Sequence, residues 1–335
     1  AKDQSALTGR PVEEYLELAR RRIDFYPAWF ARRAEELALR SGDVVGTPFA
    51  NANEGAPTDA FRAAQHTAMA PVAAFGCTRI GEDGRAYFIG KSEHYHASLG
   101  HQFPGYELLQ LAHRLGIPNA THNNTRGFIT RTAEREIVRI ANRIEPDDDA
   151  GLDAVLNSAD PGVLNRVINL ETGSLAVESA LKMMLHRFYR LQPEQKETPK
   201  YTGRQPVFLV MADHAGGRQA NYHGTTILTQ CLRGMWPEFA AGLEAKGLFR
   251  IEAVRINDRA DFDAKLERWD RGETKVAGFF HELVLMNYGG IRLTEEFVHH
   301  THAVCRAHDV GVMVDEIQSC MWGKDQFLFL DYGIT

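Results

Sequence analysis

Cysteine is scarce in this chain: four in 335 residues, at Cys77, Cys231, Cys305 and Cys320, all far apart. That spacing excludes a disulfide-stapled scaffold and a cysteine zinc site. Free thiols in a reducing compartment are expected, and so a cytoplasmic protein. Long apolar runs are missing too. No window approaches the ~18 apolar residues of a membrane-spanning helix, and no apolar signal core follows Ala1-Lys2-Asp3-Gln4. Nor is there an excess of positive charge. With 38 Lys and Arg against 44 Asp and Glu, the net charge is −6, which leaves no electrostatic footprint for nucleic acid. No internal repeat and no low-complexity tract occurs. A Gly-x-Ser-x-Gly elbow between a strand and a helix, which a serine hydrolase would want, is absent. The histidines lack metal-site spacing: His94 and His96 stand two apart, and His299, His300 and His302 scatter around a helix axis.

What remains is an ordinary globular composition, 44% hydrophobic and 24% charged. The length allows one large or two medium domains. Pro11 to Ser41 carries apolar stripes of helical period, with a break expected at Pro27. Gly42 to Ala70 has little periodicity and is expected to be a long connection. Thr78 to Ile89 is a hairpin by its Asp83-Gly84 turn, and Thr132 to Ile144 a helix capped near Thr132. After about Ala150 strands alternate with helices. Strands are expected at Val167–Leu170, Val207–Met211, Phe249–Val254, Val276–Phe280 and Val310–Val314. Helices are expected at Ser174–Tyr189, Ala260–Trp269 and Thr294–Ala307. This alternation implies an α/β fold with a mainly parallel sheet covered on both faces.

Three stretches stand beside the last strand as sites for chemistry. Val310 to Val314 is an uninterrupted apolar run, read as a strand buried on both faces. Asp315 follows at its carboxyl end, where open α/β sheets collect ligands, and Gln318 lies three residues on. A desolvated carboxylate there needs a positive partner or several hydrogen bonds. Thr172-Gly173-Ser174 opens a helix after an apolar segment, which suits a phosphate as well as an ordinary serine cap. Asn221-Tyr222-His223-Gly224 could stack on a flat ligand or be a surface loop. Phe280-His281-Glu282, followed by Gly289-Gly290, places Glu282 either at a crevice or in a structural ion pair.

Taken in order, these stretches resemble the class III aminotransferases, fold type I enzymes that use pyridoxal 5′-phosphate (PLP). Gly173 to Lys182 is similar to the family's Gly-Ser/Thr-Glu-Ala-x-Glu-Ala-Ala-Leu-Lys segment. Tyr222-His223-Gly224 resembles its aromatic-His-Gly segment. Glu282 through Gly289-Gly290-Ile291 resembles Glu-Pro-(x)n-Gly-Gly, and Val314 to Ser319 resembles Val-Asp-Glu-Val-Gln-Thr. Gly100-His101-Gln102-Phe103-Pro104 and Phe327 to Gly333 extend the likeness, which runs from about residue 78 onward. Departures stand at Leu175, where the family has Glu, at Leu283, where it has Pro, and at Met321-Trp322-Gly323-Lys324, where it has Gly-Arg-Thr-Gly.

The resemblance implies roles. Asp315 pairs with the protonated pyridine nitrogen, and Gln318 bonds the ring's phenolic oxygen. Tyr222 stacks on the ring. Gly173 and Ser174 hold the phosphate, while Glu282 and His223 stand beside the cofactor or substrate. It implies amino transfer between an amino acid or ω-amine donor and a 2-oxo acid acceptor, in a homodimer. The Schiff-base lysine is expected after Gly333-Ile334-Thr335, in a longer polypeptide. The implied division is an N-terminal helical extension at 1–77, a small-domain part at 78–150 and a large PLP-binding domain at 151–335. The same scaffold admits an aminomutase, decarboxylase or racemase, or a non-catalytic binding or assembly protein.

Overall fold

A computed structural model describes residues 1–50, 53–89, 99–118, 124–212, 226–285, 288–321 and 323–334. It divides into two compact units, Ala1–Ala133 and Glu134–Thr335.

The first unit begins with α1 (Lys2–Thr8), α2 (Val12–Arg20) and α3 (Ala28–Ala38). The break between α2 and α3 falls at Pro27, whose ψ of 142° places it just outside the helix it precedes. The stretch read as a long connection contains a short helix, α4 (Asp59–Ala64), capped by Thr58. Strands β1 (Pro71–Phe75), β2 (Thr78–Gly81) and β3 (Ala86–Phe88) form an antiparallel sheet in that order. The Asp-Gly hairpin is present between β2 and β3. Gly84 takes φ +77°, and Asp83 accepts hydrogen bonds from Arg85 N and the Tyr87 hydroxyl. Phe30 is 1% exposed, with Phe75 4.9 Å away. Helix α5 (Glu107–Arg114) follows, and α6 (Phe128–Ala141) spans the boundary. Helix α6 starts four residues before the expected cap. Thr132 lies inside it and donates to the Phe128 carbonyl instead.

The second unit contains α7 (Asp149–Leu156), α8 (Gly173–Leu185), β4 (Gln205–Met211), α9 (Ile227–Leu232) and α10 (Pro237–Ala245). They are followed by β5 (Arg250–Val254), α11 (Arg259–Trp269), β6 (Thr274–Glu282), β7 (Val284–Leu285), β8 (Ile291–Arg292), α12 (Glu295–Ala307) and β9 (Gly311–Asp315). Four strands make one parallel sheet in the order β5-β4-β6-β9. Val167–Leu170 is not a strand. It forms no ladder among the described residues, Ile168 and Leu170 stay exposed, and Asn169 donates to Glu134. Apolar character alone does not supply a neighbouring strand.

The sheet is buried on both faces, with side chains alternating along the strands except at one slip in β6. Val207, Leu209 and Met211 of β4 join Val276 and Phe279 of β6 and Phe297 and Val298 of α12 on one face. Phe208 and Val210 join Ala277, Phe280, and Val177 and Leu181 of α8 on the other. Each fully buried side chain of this size contributes about 1.5–3 kcal/mol. In β6 the ladder to β4 slips: Val207 faces Val276, but Phe208 faces Gly278, so Ala277 is an extra residue. Gly278 has its own reason. A Cβ there would lie 2.3 Å from Met184 Sδ, so a larger residue would displace the Met184 side chain that α8 packs against β6.

At the amino end of β6 the Lys275 ammonium is buried and donates to Asp270 at 2.6 Å and to the His308 carbonyl at 2.7 Å. His308 Nδ1 stands 2.9 Å from the second Asp270 oxygen. Burial pushes the Asp270 carboxyl up, but the bonds from Lys275 and His308 outweigh it and hold the group below the usual carboxylate range.

Candidate active site

The site is built at the carboxyl ends of β6 and β9, which run side by side in parallel. In their register Phe279 faces Val312, Phe280 faces Met313, His281 faces Val314 and Glu282 faces Asp315. Because Phe280 and Met313 pack toward α8, alternation places Glu282 and Asp315 on that same face. Two carboxylates thus end neighbouring strands, about 4.8 Å apart from strand to strand. Glu282 is 1% exposed and Asp315 9%.

The turn after β9 is held by Asp315 itself, whose Oδ1 accepts from Ile317 N at 2.9 Å. This bond orients the carboxylate. Gln318 is buried one residue further on. Glu316 turns elsewhere. Its two oxygens accept from Leu328 N and Phe329 N, each at 2.7 Å, and so fix the short 3-10 turn Leu328–Leu330 beneath the site. Burial raises the Glu316 carboxyl, and the two backbone N–H groups partly offset that rise.

Helix α8 starts at Gly173. Its cap is Thr172, whose hydroxyl accepts from Leu175 N at 3.3 Å, so the expected serine cap falls two residues early. The N–H groups of Gly173 and Ser174 therefore sit in the first turn, where no intrahelical acceptor exists and the helix dipole is positive. A Cβ at Gly173 would lie 3.2 Å from Ile317 Cδ1, so the amino end of α8 rests on the turn that carries Asp315 and Gln318. Glu282 and Asp315 share one face of the sheet, and Gly173, next to Ser174, meets Ile317 in the turn that precedes the buried Gln318. Tyr222 and His223 lie outside the described residues.

Sequence reasoning missed Glu178. One turn into α8, it accepts from Ile227 N at 2.7 Å and so holds the start of α9. Its sequence signal is its match to the second glutamate of the family segment that Gly173 to Lys182 resembles, five residues after Gly173 on the same helix. Glu178→Ala should cost about 1–2 kcal/mol, the price of an orphaned helix-start N–H, read as a lower urea midpoint with unchanged slope. The histidines of α12 do diverge. His299 reaches the Tyr332 carbonyl, His300 reaches Asp263 and His302 reaches His281.

Comparison with known proteins shows the family. A profile of the family described as Aminotransferase class-III matches residues 61–324. The chain belongs to the class III aminotransferase family, and its α/β architecture is that of the fold type I enzymes. No curated protein sequence matches. Among solved structures, the taurine:2-oxoglutarate aminotransferase from Bifidobacterium kashiwanohense is 18% identical, covering 90% of this chain and 60% of that one, with a TM-score of 0.49. An omega-transaminase from Sphaerobacter thermophilus is 17% identical over 79% of this chain and 52% of that one, TM-score 0.48. The ornithine aminotransferase from Toxoplasma gondii ME49 is 19% identical over 74% and 49%, TM-score 0.45. The chain spans about half the length of the solved structures it matches.

Proposed function

We propose that the protein is a PLP-dependent aminotransferase, moving an amino group between an amino acid or ω-amine and a 2-oxo acid. The observation that carries this reading is the paired placement of Glu282 and Asp315 beside the amino end of α8. The residues fit the cofactor on their own chemistry. A buried carboxylate with one oxygen already fixed suits a pyridinium N–H. An open helix start with glycine first suits a phosphate. When bound, the cofactor delocalises the electron pair left at the substrate's Cα. Asp315 would hold the proton at the ring nitrogen. Gln318 would donate to the phenolic oxygen, and the Gly173 and Ser174 N–H groups to the phosphate. Tyr222 would cover the ring, with His223 and Glu282 beside the cofactor or substrate.

The finer assignments belong to the same proposal. A small-domain part at 78–150 and a large domain at 151–335 follow the family's layout. The N-terminal 1–77 would be an added extension. A homodimer is supported by exposed large apolar side chains such as Phe128, Leu164 and Ile168. A cytoplasmic setting is supported by the four free thiols.

The visible spectrum of the intact protein tests the reading. Added PLP should give a long-wavelength absorbance that moves to shorter wavelength with an amino donor and returns with a 2-oxo acid. A bound cofactor whose band is unmoved by any donor would sink amino transfer. No bound cofactor would sink the reading altogether.

A further inference from the structure

On the face of β6 opposite the carboxylates, two imidazoles meet. Nε2 of His281 lies 3.0 Å from Nε2 of His302, with the rings 5.2 Å apart and inclined at 70°. His281 is 0% exposed, and its ring lies against Phe279 at 4.8 Å. Nδ1 of His281 stands 3.2 Å from the Glu282 carbonyl oxygen. A carbonyl oxygen only accepts, so Nδ1 of His281 carries a hydrogen. A neutral imidazole has one N–H, which makes Nε2 of His281 an acceptor. Nε2 of His302 must then carry the other hydrogen. The chain of donation runs one way: His302 Nε2–H to His281 Nε2, then His281 Nδ1–H to the Glu282 carbonyl. Protonating His302 at Nδ1 would set a full charge in the core, and protonating His281 would point two N–H groups at each other.

We propose that His281 and His302 are positioning residues for the crevice, a tautomer-locked clamp that pins the carboxyl end of β6 to α12 and releases it in acid. The clamp rests on the reading of Glu282 as a crevice group, since it holds that residue's backbone.

The surroundings keep His302 neutral. Burial drives His302 from 6.5 down to about 4, and Arg306 and His299 on α12 repel a further charge. From the elements packed on α12, Asp263 of α11 is engaged by His300, and the Tyr332 hydroxyl by Arg292. Asp270 and Lys275 pair with each other at the far end of β6. Because the folded value lies below the unfolded one, the contribution is complete above 6.5 and falls away as pH drops toward about 4.

The test uses the intact protein labelled with ¹⁵N at histidine, read by NMR at a pH of about 7.5. His281 should show the Nδ1–H tautomer and His302 the Nε2–H tautomer, both neutral. Beyond the strand end, Leu293 N donates to the Leu283 carbonyl at 2.9 Å, and its hydrogen exchange reports local order. His302→Leu removes the donor and should speed that exchange and weaken PLP binding about tenfold or more. His302→Gln, whose amide can donate in its place, should stay within about threefold of wild type. Reversed tautomers, a charged ring at neutral pH, or His302→Leu indistinguishable from wild type would overturn the clamp. Equal damage from both variants would reduce it to packing and overturn it too. If His302→Leu fails to fold, the wild-type tautomers still decide. A wild type that binds no PLP sinks the aminotransferase reading instead, while tautomers and exchange continue to judge the clamp.

Discussion

Asp315→Asn is expected to weaken PLP binding and activity by two to four orders of magnitude, with little change in folding. The asparagine Oδ1 can still accept from Ile317 N, so the turn after β9 keeps its shape. What disappears is the charge. A buried ion pair broken by removal of one partner loses about 3–5 kcal/mol, and each 1.4 kcal/mol is a factor of ten. The loss should appear in both the dissociation constant of PLP and the rate at saturating cofactor, because in the proposed role the same charge would hold the proton on the ring. Equilibrium dialysis and steady-state rates on the intact protein measure the two. Near-normal values for both would remove Asp315 from the site. Loss of the folded baseline in circular dichroism would mean the carboxylate is structural.

Lys275→Met should be the most damaging of these changes to stability. The methionine fills most of the lysine stem's volume but leaves Asp270 buried with only the Val276 N–H and His308. The cost is about 3–5 kcal/mol, a large part of the 5–15 kcal/mol that holds a typical domain. Its sign with pH is determined. Asp270 is held below its ordinary value in the folded protein, so its contribution is present above that ordinary value and lost as pH falls through the lowered one. The gap between wild type and Lys275→Met should therefore be widest near neutrality and shrink as the carboxyl becomes protonated. Urea unfolding at a series of pH values reads it. A gap independent of pH would assign the loss to packing alone.

Much of this fold was legible because local chemistry announces it. The runs at Val207–Met211 and Val276–Phe280 are apolar, short and bounded, and they became β4 and β6. Asp83-Gly84 demanded a tight turn and made one. Thr294 begins α12 as its cap. The failures have a common cause: they depend on partners distant in sequence. Val167–Leu170 resembles a strand until one asks what it pairs with. Thr172 and Ser174 are equally good caps by composition, and only the chain's path into α8 chooses between them. The acidic pair after β9 looked like one unit. It is two, because Asp315 accepts from Ile317 N in the turn while Glu316 reaches Leu328 and Phe329, twelve and thirteen residues on. Glu178 and Ile227 stand 49 residues apart, and nothing near either one names the other.

The extra residue at Ala277 governs the site from a distance of five positions. A strand assigns its side chains by parity, odd to one face and even to the other. Without the slip between Val276 and Gly278, the parity set by Lys275 at one end would carry through unchanged to the other. Glu282 would then turn toward α12, and His281 would lie on the same face as Asp315. Ala277 acts as a phase shift: it lets the ammonium anchor at the foot of β6 and the carboxylate at its tip each face the side where it is needed. Deleting that one small, buried residue would not leave a hole. It would make the two ends of the strand incompatible, so that one anchor could be kept only by surrendering the other.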